Sequence, residues 1–106
     1  MKSTIQIIVD DIKVGEPTTF VKQGPLIDEL GKKWYKDNLL HREDGPAIER
    51  HNGSKHWYIN NERHRLDGPA IEYANGSKYW YYHDKWIREI SSQEEFEQWL
   101  KYRSFL

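Results

Sequence analysis

Three arginines, Arg42, Arg65 and Arg88, recur at intervals of 23 residues, and the pair Trp57-Tyr58 returns as Trp80-Tyr81 at the same interval. Arginine offers a planar fork for phosphate or carboxylate, and aromatic faces stack on bases. Projected from one face, these side chains suit a nucleotide or an acidic protein surface. The competing reading is architectural. The Trp residues are then core, and each Arg pairs with a nearby acid, Arg42 with Glu43 or Asp44. Repeated Trp in a sheet more often packs than contacts a ligand.

Histidine is the next candidate for chemistry. There are five, at positions 41, 51, 56, 64 and 83, and His41 and His64 sit close to Asp44 and Asp67. None has a second His one helical turn away, the compact spacing of a ligand pair. His41 and His64 read more simply as residues whose rings hydrogen-bond a neighbouring turn, so no metal or other cofactor is expected. Catalytic sites are asymmetric clusters of different groups, whereas the conspicuous residues here are repeated. There is no Gly-rich phosphate loop and no Gly-x-Ser-x-Gly elbow. The chain reads as a non-enzyme.

Composition narrows the partners. The 106 residues fit one domain, with 31% charged and 37% hydrophobic residues and a mean hydropathy of −0.97. Five Trp, seven Tyr and three Phe replace many aliphatics, because large aromatics bury much area each. A net charge of −1 supplies no bulk attraction to nucleic acid or an anionic membrane. The absence of cysteine excludes disulfides, thiolate metal sites and a Cys nucleophile. No signal peptide or apolar span is recognisable, so a cytoplasmic location is expected.

The elements that must position these residues follow from the repeat. Asp44-Gly45-Pro46-Ala47-Ile48-Glu49 returns as Asp67-Gly68-Pro69-Ala70-Ile71-Glu72, and Asn52-Gly53-Ser54-Lys55 as Asn75-Gly76-Ser77-Lys78. Gly24-Pro25-Leu26-Ile27-Asp28 opens a degenerate first copy, followed by Trp34-Tyr35. Three units result, 23–43, 44–66 and 67–89. Asn52-Gly53 predicts a type I′ turn joining strands Ala47–His51 and Ser54–Ile59. Asn60-Asn61 is a second turn, and Glu62–Arg65 a short third strand or connector. Alternation along a continuous Ser54–Ile59 strand places Lys55, Trp57 and Ile59 on one face.

The flanks read as caps. Residues 1–22 carry strand-like alternation and predict an N-terminal β-hairpin. Ser92 and Glu95 have capping-box spacing, and Phe96, Trp99 and Leu100 follow helical spacing, predicting an amphipathic helix over 91–104. The fold class is therefore mainly β: three tandem 23-residue hairpin repeats in an elongated antiparallel sheet, with a β-hairpin before and a helix after. The 106 residues form a single domain.

The segments His41–Glu49 with Asn52–Tyr58, and His64–Glu72 with Asn75–Tyr81, resemble the MORN-repeat variants of bacteria and their phages. The resemblance spans about residues 24–90. It implies rows of β-hairpins and, from related bacterial proteins, an antitoxin role. The departure from the usual Tyr-Gly-rich pattern sets aside lipid binding.

Together these readings lead to a passive binding or inhibitor protein, phage-encoded and directed at a host defence component. It would bind a host protein or sequester a small signalling nucleotide. An antitoxin is the alternative, and a nucleic-acid-binding accessory protein a weaker one. The expected contacts are Arg42, Arg65, Arg88, Trp57, Tyr58, Trp80, Tyr81, His41 and His64. An open array exposes edge strands, through which a homodimer is expected.

Overall fold

A computed structural model describes residues 21–103. The expected N-terminal hairpin over 1–22 lies outside the described residues, apart from residues 21 and 22. The described part is mainly β, with antiparallel sheets and one C-terminal helix.

The strands are β1 (Gly24–Asp28), β2 (Gly31–Lys36), β3 (Leu39–Leu40), β4 (Ile48–Arg50), β5 (Lys55–His56), β6 (Tyr58–Ile59), β7 (Glu62–Arg63), β8 (Ile71–Glu72), β9 (Lys78–Tyr79), β10 (Tyr81–Tyr82) and β11 (Lys85–Trp86), followed by helix α1 (Gln93–Tyr102). Six strands run side by side in the order β1-β2-β4-β5-β8-β9, with β3 also pairing β2. The pairs β6-β7 and β10-β11 form two small separate sheets.

The expected continuous strand Ser54–Ile59 is therefore wrong, because it breaks at Trp57. The Trp57 N–H donates to Ala70 O at 2.8 Å, across to the next unit of the large sheet. Its carbonyl accepts from His64 N–H at 3.1 Å, in the third arm of its own unit. The backbone changes sheets at this residue, so the predicted shared face of Lys55, Trp57 and Ile59 dissolves. Tyr58 instead turns inward and packs with Ala47, Ile48 and Leu40.

The Asn52-Gly53 turn differs from expectation in type, whereas a turn does form at Asn60-Asn61. A type I′ turn needs positive φ at both central residues. At Asn52-Gly53 only Gly53 has it, at 98°. Gly53 N–H bonds Arg50 O, and Arg50 N–H bonds Ser54 O, so the loop has three residues and Gly53 closes it. Asn52 contributes through its side chain, accepting from Ser54 N–H at 2.9 Å. Paired positive φ occurs at Asp37-Asn38 (52° and 72°), Asn60-Asn61 (48° and 71°) and His83-Asp84 (45° and 69°). These are the two-residue turns of β2-β3, β6-β7 and β10-β11. Asn and Asp tolerate this region because their side chains bond locally. Here they also bond the preceding unit: Leu40 N–H donates to Asn61 Oδ1, and Arg63 N–H to Asp84 Oδ1.

The helix begins as its capping residues dictate. Ser92 is extended and its hydroxyl accepts from Glu95 N–H at 3.2 Å. Glu95 reaches back to Ser91 N–H at 2.8 Å, satisfying donors that a helix start leaves open. Its buried residue, Phe96, joins Trp80 and Ile87 in a second core.

Candidate binding site

Arg42 and Arg65 occupy identical cradles. The Arg65 guanidinium lies 3.8 Å from the Trp57 ring centre; Arg42 lies 3.8 Å from Trp34. Arg65 Nε donates to Asp67 Oδ1 at 3.0 Å, and Nη1 donates to Pro69 O at 3.1 Å and Glu72 Oε2 at 3.0 Å. Arg42 repeats these bonds with Asp44, Pro46 and Glu49 at 3.1 to 3.2 Å. Gly68 belongs to the same device, since a Cβ there would stand 2.5 Å from Arg65 Cζ. The recurrent string Arg-x-Asp-Gly-Pro-x-x-Glu thus encloses one guanidinium. Asp and Glu accept, Gly leaves room, and Pro supplies a carbonyl.

Breaking the second cradle leaves the partly buried Glu72 carboxylate and the Pro69 carbonyl without their donor and uncovers the Trp57 ring, while Asp67 is already solvated. Arg65→Ala is expected to cost about 2 kcal/mol in urea unfolding, while Arg88→Ala stays within about 0.5 kcal/mol. Equal effects from the two substitutions would contradict the different roles assigned to them.

Arg88 has no such cradle. It is followed by Glu89-Ile90-Ser91-Ser92 instead of x-Asp-Gly-Pro. Among the described residues it makes no ion pair or hydrogen bond; its guanidinium lies 4.7 Å from the Trp86 ring centre. Trp86 continues into a ladder of edge-to-face rings. Trp86 meets Tyr79 at 5.8 Å, Tyr79 meets Tyr73 at 5.7 Å, and Tyr73 meets His56 at 5.8 Å. Tyr73 and Trp86 are each 41% exposed, so the ladder is a surface feature rather than core.

The predicted aromatic residues divide by position. Trp57 is half-buried under Arg65. Trp80 is buried beneath α1, and its Nε1 donates to Gln93 Oε1 at 2.8 Å. Tyr58 is buried and Tyr81 half-buried, with Arg63 between them at 5.4 and 5.5 Å.

His41 and His64 hold the turns of the following unit. His41 Nδ1 accepts from Asn60 N–H at 3.0 Å, and His64 Nδ1 accepts from His83 N–H at 2.9 Å. At the equivalent position 87 the residue is Ile, 1% exposed under α1, where a helix rather than another turn follows. Burial first, and then neighbouring His83, hold His64 below the usual imidazole range, against the pull of Glu62. His56 is also held low, chiefly by burial and then by Arg63 and Arg50. An imidazole depressed in the folded state binds fewer protons than in the unfolded chain. Its stability contribution is whole above about pH 6.5 and declines as pH falls through that value toward the folded one. The urea midpoint is therefore expected to be lower at about pH 5 than at about pH 7.5, with His64→Gln reducing the difference. An unchanged midpoint would remove these histidines from the stability balance.

Two hollows bring predicted residues together. One, of about 630 Å³, lies between the cradles and takes in Arg42, Arg65, Trp57 and His64. Glu43, Asp44 and Asp67 also line it, so its cations face their own counter-charges. The other, of about 430 Å³, is bordered by Lys78, Tyr79, Trp80, Trp86, Arg88 and Ser91. No acid among the described residues lines it, which makes it the better place for an anionic group. Among the described residues no group of three or more His, Asp or Glu could hold a metal ion, and no helix is long and apolar enough to cross a membrane.

No family model, curated protein or solved structure matches this chain. The ladder and Lys78 are the residues that sequence reasoning missed. Lys78 was visible in the repeat. The ladder was not, because its members lie on different strands.

Proposed function

We propose that the chain is a non-enzymatic binding module of three tandem 23-residue hairpin units, which occupies a partner protein through the ladder side of its last unit. The repeated cradles and turn contacts support the unit count. The observation that carries the function is the exposed ring series ending on uncradled Arg88. Exposed Trp, Tyr and Arg are the residue types that dominate binding energies at protein interfaces. The cradled arginines and buried Trp80 supply the rigid frame beneath.

This reading extends to an inhibitor, phage-encoded and directed at a host defence component, or to the antitoxin that the MORN-like resemblance implies. The test is capture of a stoichiometric partner from host lysate by the immobilised protein. Trp86→Ala and Arg88→Ala are expected to weaken capture at least tenfold, as hot-spot truncations do, without lowering the urea midpoint. Recovery of no stoichiometric partner would count against the proposal.

A second reading is favoured by the acid-free hollow, whose size falls within the range of small-molecule sites. A signalling nucleotide would place phosphate on Arg88 and Lys78 and its base on Trp86. Calorimetric titration with cyclic nucleotides and cyclic ADP-ribose isomers decides it, and absence of heat with all of them removes the idea.

A further inference from the structure

The units join by one rule, and the last unit leaves that rule unfinished. Lys32 of β2 stands opposite Glu49 of β4, and Lys55 of β5 opposite Glu72 of β8. Beside them, Lys33 faces Ile48 and His56 faces Ile71. One residue further, Trp34 N–H donates to Ala47 O at 2.7 Å and Trp57 N–H to Ala70 O at 2.8 Å. Each junction thus matches a small residue, an aliphatic and an acid to a Trp N–H, the next side chain and a Lys.

The third copy of the receiving edge is Lys78, Tyr79 and Trp80. On one side β9 pairs with β8; on the other no strand among the described residues pairs with it. The backbone N–H of Trp80 has no acceptor among the described residues, whereas its ring Nε1–H donates to Gln93 Oε1. A further 23 residues would bring the next strand to 93–95, but those residues start α1. The helix covers the Trp80 ring and leaves the β9 backbone open. The hollow lies along this edge and brings in Arg88 as a second cation; on the β8 side Lys78 stands opposite Glu72, whose carboxylate is held by Arg65.

We propose that β9 receives an extended acidic strand from a partner protein. The strand runs antiparallel to β9 with the order small–aliphatic–acidic. The carbonyl of its small residue accepts from Trp80 N–H, its aliphatic side chain lies opposite Tyr79, and its carboxylate meets Lys78. Strand addition of this kind takes affinity from main-chain bonds and selectivity from alternate side chains. Lysine on an edge discourages indiscriminate pairing; here it selects for acid. A second copy of this chain is a poorer occupant. The matching residue of its β1 is Asp28, whose Oδ1 already accepts from Leu30 and Gly31 N–H groups.

The proposal rests on the binding-module reading but is tested without the partner. The probe is a peptide blocked at both ends that copies residues 68–73, Gly-Pro-Ala-Ile-Glu-Tyr. Saturable shifts are expected at the amides of Lys78, Tyr79 and Trp80, with the β1 amides unmoved. A peptide carrying Lys in place of its Glu is expected to bind at least tenfold more weakly. Lys78→Glu should reverse that preference, and Lys78→Gln should abolish it. Equal binding of both peptides to the unaltered chain, or no shift at β9, overturns the proposal. So does a mass that doubles with concentration and is restored to monomer by Lys78→Glu, which would give the edge to a second copy. If a captured partner is lost with Trp86→Ala but ignores Lys78→Glu, the edge proposal falls and the binding module stands.

Discussion

Phe96→Ala is expected to destabilise the chain by about 3–5 kcal/mol, the range for truncating a buried aromatic. Phe96 is fully buried, against Trp80 and Ile87, and stacks on Trp99 at 6.0 Å. A helix of ten residues is marginal by itself in water, so α1 depends on this contact. The far-ultraviolet helical signal should fall with the mutation, and Trp80 fluorescence should shift toward that of a solvated indole. Gln93→Ala removes the bond it accepts from Trp80 Nε1 and the exposed ones it donates to Leu66 O and Glu97 Oε2, and is expected to cost only about 1–2 kcal/mol. On the proposal that the chain is an array of units contacting mainly their neighbours, loss of one cap weakens the adjacent unit first. Amide resonances of β1, β2 and β4 should therefore persist under conditions where those of β10 and β11 are lost. Simultaneous loss of all of them would show one cooperative body instead of stacked units.

Much of this arrangement was legible in the chain. The helix start followed from Ser92 and Glu95, because capping is a local matter of side chain and backbone. The mainly β, antiparallel character followed from the turn motifs and the alternation between them. The break at Trp57 was not legible, since alternation describes a strand that stays in one sheet. Trp57 sends its N–H to Ala70 and its carbonyl to His64, a division set by packing between units. The turn at Asn52-Gly53 was placed correctly and typed wrongly. Its dipeptide suits a two-residue loop, but Arg50 and Ser54 close around three residues.

The site was half legible for a related reason. Arg42, Arg65 and Arg88 share a repeat position, which suggested a common role. Asp-Gly-Pro follows the first two and Ile90-Ser91-Ser92 stands in its place after Arg88, so the difference was already in the sequence. It acquires meaning only when the motif is seen to enclose a guanidinium. In the ladder of His56, Tyr73, Tyr79 and Trp86 only His56 and Tyr79 share the 23-residue period; Tyr73 and Trp86 stand where the preceding copy has Arg50 and Arg63. The ladder exists because the last strands and the turn beside them meet on one face.

Gly31→Ala is expected to cost at least about 3 kcal/mol, beyond what an unfavourable backbone conformation alone explains. Gly31 has φ +145°, and a Cβ there would stand 1.9 Å from Glu49 O and 2.9 Å from Arg50 Cα. Both obstacles are backbone, so no side-chain rotation relieves them. Gly31 pairs with Arg50 at the junction of β2 and β4, where the first unit meets the second. To admit a methyl group the two strands must part, and Trp34 N–H then loses Ala47 O. Amides of residues 31–36 should lose hydrogen-exchange protection, while those of β8, β9 and α1 keep theirs. Peptide addition at β9 should continue in the variant, because that edge lies two junctions away. Loss of protection throughout the chain would mean that the first junction supports the whole sheet, and the picture of units joined only through their neighbours would then fail.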